Sequence, residues 1–175
     1  MTDVGNRAVL LSGHELLLLL FKRNAEGIVL PEEISALSAD EKELKEAMAE
    51  LITDKYLLPG DDGLYKIAPE IRHFMDILTG ASVVYVIEEI QRKFEPCYLY
   101  RTNMDAVSLN MDVHHKSWVR LESIRFEEKI KELLEFPLAR IQIQRFKAGD
   151  TEPDKVMEIT YSDSLEEALD KMLEA

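Results

Sequence analysis

Apolar residues recur at helical steps through the first 80 residues and mostly alternate thereafter, so the chain divides by hydrophobic period. Ala8-Val9-Leu10-Leu11 reads as a strand or a tucked extended segment. Ser12-Gly13-His14-Glu15 has capping-box spacing and opens a helix to about Lys22. The leucines at 16–20 leave no polar stripe, which predicts a helix buried on most sides. Ile28-Val29-Leu30 is a connector, and Pro31-Glu32-Glu33 reads as a first helical turn. Ser38-Ala39-Asp40-Glu41 repeats the capping-box spacing and starts a helix with Leu44, Ala47, Met48, Leu51 and Ile52 on one face. Residues 56–67 form a hairpin around the turn Pro59-Gly60-Asp61-Asp62-Gly63. Pro69 then begins a helix that turns Ile71, Phe74, Met75 and Leu78 inward and ends at Gly80.

In the second half, residues 83–87 are almost wholly apolar, as in a strand buried on both faces and central in its sheet. Residues 97–100 form a second strand. Residues 107–113 and 117–122 form two more, joined by a turn at His114-His115-Lys116. A helix around 126–136 turns Phe126, Ile130, Leu133 and Leu134 to one side, and Pro137 stops it. Ile141 and Ile143 mark a further strand, and Met157, Ile159 and Tyr161 the last one. Ser164-Leu165-Glu166-Glu167 is a third capping box, opening a helix with Leu165, Ala168, Leu169, Met172 and Leu173 inward. The expected class is α+β: a winged-helix-like helical segment at 1–80, packed with a mostly antiparallel sheet lobe at 81–175 that carries helices on one face. The two segments can also form one continuous domain.

Composition narrows the partners. The chain has 175 residues, 46% of them hydrophobic, and its longest apolar run, at 16–21, is far too short to span a bilayer. The first seven residues lack the basic region of a secretory signal, so a cytoplasmic protein without membrane insertion is expected. The formal net charge is −13, spread over both halves: 8 basic against 15 acidic side chains in residues 1–80, and 13 against 19 in the rest. Such a surface repels phosphate backbones. The helix that would read DNA in a winged-helix protein carries Asp40, Glu41, Glu43, Glu46, Glu50 and Asp54 against only Lys42 and Lys45. No nucleic acid is expected as a partner.

Candidate chemistry is sparse. His114-His115 with Asp112 is the most metal-like cluster, but adjacent histidines in a strand point to opposite faces, and only Asp112 and His114 share one. Exposed turn histidines and no metal are the expectation. The single cysteine, Cys97, precedes an apolar strand and reads as a buried structural thiol. The glycines form no phosphate-cradling motif, and no nucleophile or metalloprotease motif is present. The sequence nominates no catalytic residue and no cofactor, and a protein without enzymatic activity is expected. Trp118, Tyr98 and Tyr100 are the candidate aromatic anchors for a protein partner.

One resemblance goes further. Leu11-Ser12-Gly13-His14-Glu15 with its leucines, Leu30-Pro31 with the acidic helix ending Glu50-Leu51-Ile52, Gly63-Leu64-Tyr65-Lys66-Ile67-Ala68-Pro69-Glu70, and His115-Lys116-Ser117-Trp118-Val119-Arg120 occur in the order of the EspG-type proteins. These are cytosolic adaptors of the ESX (type VII) secretion systems, and the chain resembles them over about residues 8–136, little more than one half of their two-half arrangement. The resemblance implies an α+β adaptor or chaperone without catalysis, binding another protein such as a secreted substrate; a single half could also pair with itself as a homodimer. A winged-helix transcriptional regulator with a C-terminal sensor lobe is the competing reading. A small-ligand-binding module, marked by a cavity in the sheet lobe, is a third.

Overall fold

The computed structural model describes residues 7–38, 40–115, 117–136 and 140–174. Ala8–Ser12 forms β1, and Ser12 ends it by capping α1 (Gly13–Lys22). The Glu15 amide donates to Ser12 Oγ (3.2 Å), and the Ser12 amide donates to the Glu15 carboxylate (2.6 Å), which completes the capping box. A Cβ at Gly13 would overlap Leu37 Cδ1 and Ile34 Cδ1 and lie 3.0 Å from the Ser117 carbonyl oxygen, so any larger residue there would push both side chains aside. The short α2 (Glu32–Ser35) follows the connector, and α3 (Glu41–Thr53) starts two residues later than the capping-box spacing implied. Its cap is Asp40, which accepts from the Lys42 amide at 2.8 Å; Ser38 Oγ reaches Glu43 instead, and Ala39 lies outside the described residues.

The strands β2 (Leu57–Pro59) and β3 (Tyr65–Ile67) form a separate hairpin, with Gly63 at φ +76° in its turn. α4 (Pro69–Gly80) turns Ile71, Phe74, Met75, Ile77 and Leu78 into the core. The order helix, helix, hairpin, helix is present, and the class it helps to define is α+β.

The rest builds the sheet: β4 (Val83–Glu89), β5 (Cys97–Arg101), β6 (Ala106–Met111), β7 (Trp118–Ile124), α5 (Phe126–Leu134), β8 (Arg140–Lys147), β9 (Lys155–Thr160) and α6 (Leu165–Leu173). Pro137 and Lys116, assigned above to a helix stop and a turn, lie outside the described residues. The seven strands run in the order β1-β7-β6-β5-β4-β8-β9, with every pairing antiparallel. The N-terminal strand therefore lies in the sheet of the second lobe, against β7.

Alternation along β4 sends Val84 and Val86 to one face and Tyr85 and Ile87 to the other, all buried. The first face is covered by α1, α3 and α4, and the second by α5 and α6. The helices of the second half do share one face, as expected, but the N-terminal helices cover the opposite one and make a three-layer arrangement. Two polar links fasten the upper layer: Arg23, the residue just after α1, pairs with Asp76 of α4, and the Tyr100 hydroxyl donates to the Val29 carbonyl. On the lower face the Tyr85 hydroxyl donates to Met172 O of α6 at 3.2 Å. Among the described residues, no helix is long and apolar enough to cross a membrane.

Candidate functional site

The three aromatic candidates do not form a surface. Tyr100 is 0% exposed, within the core under the N-terminal helices, so it is not available to a partner. Alternation along β5 explains this, since Tyr100 shares the face of Tyr98 and that face is covered. Tyr98 is half-buried beside the acids of α2; burial, reinforced by Glu33, Glu88 and Glu32, pushes its hydroxyl up to about 12. Trp118 is half-buried on the opposite face of the sheet, with its ring 5.9 Å from that of His115.

The histidine turn arranges itself without a metal-like convergence. Asp112 Oδ2 meets His115 Nδ1 at 2.8 Å and accepts the His115 and His114 amides, so its partner is His115 rather than His114. These bonds, with that to the His115 ring foremost, hold the Asp112 carboxyl below the usual range. Among the described residues, no three His, Cys, Asp or Glu side chains gather into a metal-holding set. Cys97 is buried at 1% exposure, its Sγ 3.7 Å from Asn110 Oδ1, and burial pushes its thiol up to about 11. At pH 8 only about one thiol in a thousand is then thiolate. An aromatic disulfide reagent should therefore label Cys97 only after denaturant is added; prompt stoichiometric labelling of the native protein would contradict this placement.

An apolar groove lies along α1, the helix that the sequence predicts to be buried on most sides. Leu16, Leu19 and Leu20 of α1 point into the core, but Leu17 and Leu18 are only half-buried, and Phe21 is 80% exposed. Together with Ala25, Ile28 and Leu30 of the connector and Leu44 of α3, they line an open groove of about 540 Å³. His14 closes one end, its Nε2 lying 3.0 Å from Ser38 O and 3.3 Å from a Glu43 oxygen. Through His14, the Glu43 carboxylate of α3 stands at that end of the groove. Elsewhere on α1, Glu15 is 2% exposed; burial raises its carboxyl above the ordinary range against the pull of the two Ser12 bonds, and Glu50 and Asp54 add repulsion.

A second cavity, of about 760 Å³, opens where the β5–β6 turn and the β7–α5 junction meet. It was not legible from spacing, because its lining comes from α4, β5, β6, β7, α5 and α6. Signals for both cavities were present only as an unexplained excess: a leucine run too long for one buried stripe, and an arginine, Arg101, closing an apolar strand. No protein-family model matches the chain, and no curated protein is similar enough to it to count as a match.

Proposed function

We propose that this protein is a non-enzymatic binding module, an adaptor or chaperone, that takes an amphipathic helix of a partner protein into the groove beside α1. The observation that carries the reading is the Leu17–Leu18–Phe21 surface: three large apolar side chains on one helix, open to solvent along a 540 Å³ groove. A helix laid in such a groove supplies anchors at i, i+3 or i+4 and i+7. Phe21, already exposed, gives an aromatic anchor of the kind that dominates binding energy. The net charge of −13, with Glu43 beside His14, favours a partner whose flanks carry lysine or arginine. The narrower expectation, a cytoplasmic chaperone for type VII secretion substrates, rests on the sequence resemblance alone and specifies the client class within this reading.

A winged-helix regulator is favoured by one observation, the order α1, α2, α3, hairpin, α4. Against it, α3 presents exposed Glu41, Glu43, Glu46 and Glu50, with Lys42 and Lys45 engaged by Glu46 and Glu41 on the same helix. One titration separates the two. A labelled synthetic helix with leucines at groove spacing and lysine flanks should bind saturably, its glutamate-flanked twin should not, and Leu17→Asp should weaken binding at least about tenfold. Phe21→Ala, at an exposed position, should weaken binding without changing the melting temperature. Salt-sensitive binding of duplex DNA in place of the peptide would reverse the ranking.

A further inference from the structure

The sheet ends in two edge strands, β1 and β9, which are guarded unequally. On β1 the Gly13 amide donates to the Ser117 carbonyl, and the Ser123 amide donates to the Arg7 carbonyl. Residues 7, 9, 11 and 13 therefore turn their backbone groups to β7, and Ala8, Leu10 and Ser12 turn theirs away from it. Ser12 is already engaged, its amide by Glu15 and its carbonyl by the start of α1. Among the described residues, the amides and carbonyls of Ala8 and Leu10 have no strand beside them. β9 turns Val156, Glu158 and Thr160 outward, because the Ile90–Arg140 and Ser82–Ala148 bonds commit the even residues of β8 to β4. There Thr160 is bonded to Asp163 through both its amide and its carbonyl, and Glu158 puts a charge on the strand, paired with Arg140 at 2.8 Å. A charged side chain deters pairing at an edge. Ala8–Ser12 carries none, in a chain that is 31% charged, and Leu10 is 42% exposed.

We propose that β1 is a self-association surface, at which a second copy of this chain adds its own β1 antiparallel and joins the two sheets into one. The outward backbone groups fix the register. A twofold axis at Val9 sets Ala8 opposite Leu10 of the second copy, and Leu10 opposite Ala8 of the second copy. Every outward amide and carbonyl of these residues then has a partner, and the small Ala8 leaves room for the leucine across from it. An axis at Leu10 would instead set Ala8 against Ser12, whose groups are already taken. The contact is the same patch on both copies, so it closes as a dimer and does not propagate into fibres. The missing charge selects the occupant. A strand bearing lysine or arginine, which the net charge of −13 draws to the molecule, finds no carboxylate on β1, whereas an uncharged strand of the same pattern needs none. Two such short strands bury well under the roughly 1,200 Å² of a stable interface, and each copy carries −13, so the dimer is weak and tightens as salt screens the repulsion. Binding of a lysine-flanked helix in the α1 groove has the opposite salt dependence, which keeps the two readings distinguishable.

The test is analytical ultracentrifugation of the full chain from about 10 μM to about 1 mM at low and high salt, with amide exchange followed on the same samples. The expected result is a mass that rises toward the dimer with concentration, more so at high salt, while exchange slows at the Ala8 and Leu10 amides. Leu10→Lys should raise the dissociation constant at least about tenfold and leave the melting temperature unchanged, because the side chain is already exposed. The substitution also brings the net charge from −13 to −12, so added repulsion does not explain a loss of association. Ala8→Lys, at a second exposed position, carries the test if Leu10→Lys does not fold. The proposal is overturned if the chain stays monomeric at about 1 mM, if salt loosens the dimer, or if the folded variants associate as the wild type does.

Discussion

Replacing Leu19 by alanine should lower the unfolding free energy by about 3–4 kcal/mol, whereas the same change at Leu18, one residue away, should cost about 1 kcal/mol. Leu19 is 0% exposed, among the side chains that join α1 to the sheet, and its removal leaves a void that close-packed neighbours fill only in part. Leu18 borders the open groove, so truncating it removes contacts on one side and leaves no closed cavity. For a chain of this length the Leu19 variant should melt roughly 10 °C lower. Paired thermal and urea melts of the two variants check the rotation of α1. Equal losses would mean that the helix is buried all round, and the groove would not exist.

Removing Arg145 should destabilise the opposite face. Its side chain makes a two-pronged contact with Asp154, Nε to Oδ1 at 3.0 Å and Nη2 to Oδ2 at 2.7 Å, and Nη1 donates to the Glu174 carbonyl beyond α6. Arg145→Met strands both acceptors. Breaking a fully buried pair costs about 3–5 kcal/mol, but Asp154 keeps 18% of its side chain exposed and Lys147 lies 3.4 Å away, so about 2–3 kcal/mol is expected. The loss should fall first on α6, visible as faster amide exchange there.

The same pair sets a pH dependence. The Arg145 bond, with help from Lys147, holds the Asp154 carboxyl below the usual range. A carboxyl depressed in the folded state stabilises fully above the unfolded value, near 3.9, and its contribution disappears as pH falls through the lower folded value. Wild type should therefore lose stability below about pH 4 more steeply than Asp154→Asn, measured by chemical melts across that range. Parallel pH profiles would show that the contact contributes nothing.

Local chemistry was largely legible in the sequence. The boxes at Ser12 and Ser164 cap their helices as spaced, because a capping box involves residues three apart and needs no tertiary partner. The box at Ser38 failed for a local reason too: Asp40 is an equally good cap nearer the first apolar turn, and it captured the helix start. Leu173, expected inward, is 43% exposed at the end of α6, where a helix of nine residues has run past its contact with the sheet. Tyr161 falls just beyond β9, in a turn.

What stayed hidden depends on distant pairing. That β1 lies beside β7 and β8 beside β4 is set by which faces must be buried together, and no window of neighbouring residues carries that information. Tyr100 was mistaken for a surface anchor for this reason: alternation gives it a face, but only the N-terminal helices decide that the face is covered. The leucine run posed the same problem in helical form. Five consecutive leucines fill every direction around α1, and only the positions of the connector and α3 reveal that three of them, Leu17, Leu18 and the otherwise buried Leu20, line an open groove.

The most direct test of the groove is chemical-shift mapping of the wild-type protein during titration with the lysine-flanked amphipathic helix. Shifts confined to α1, residues 24–30 and the first turns of α3, with the β2–β3 turn silent, are the predicted result. Shifts centred on any other surface, or none at saturating peptide, would contradict the idea that this protein meets its partner at the α1 groove.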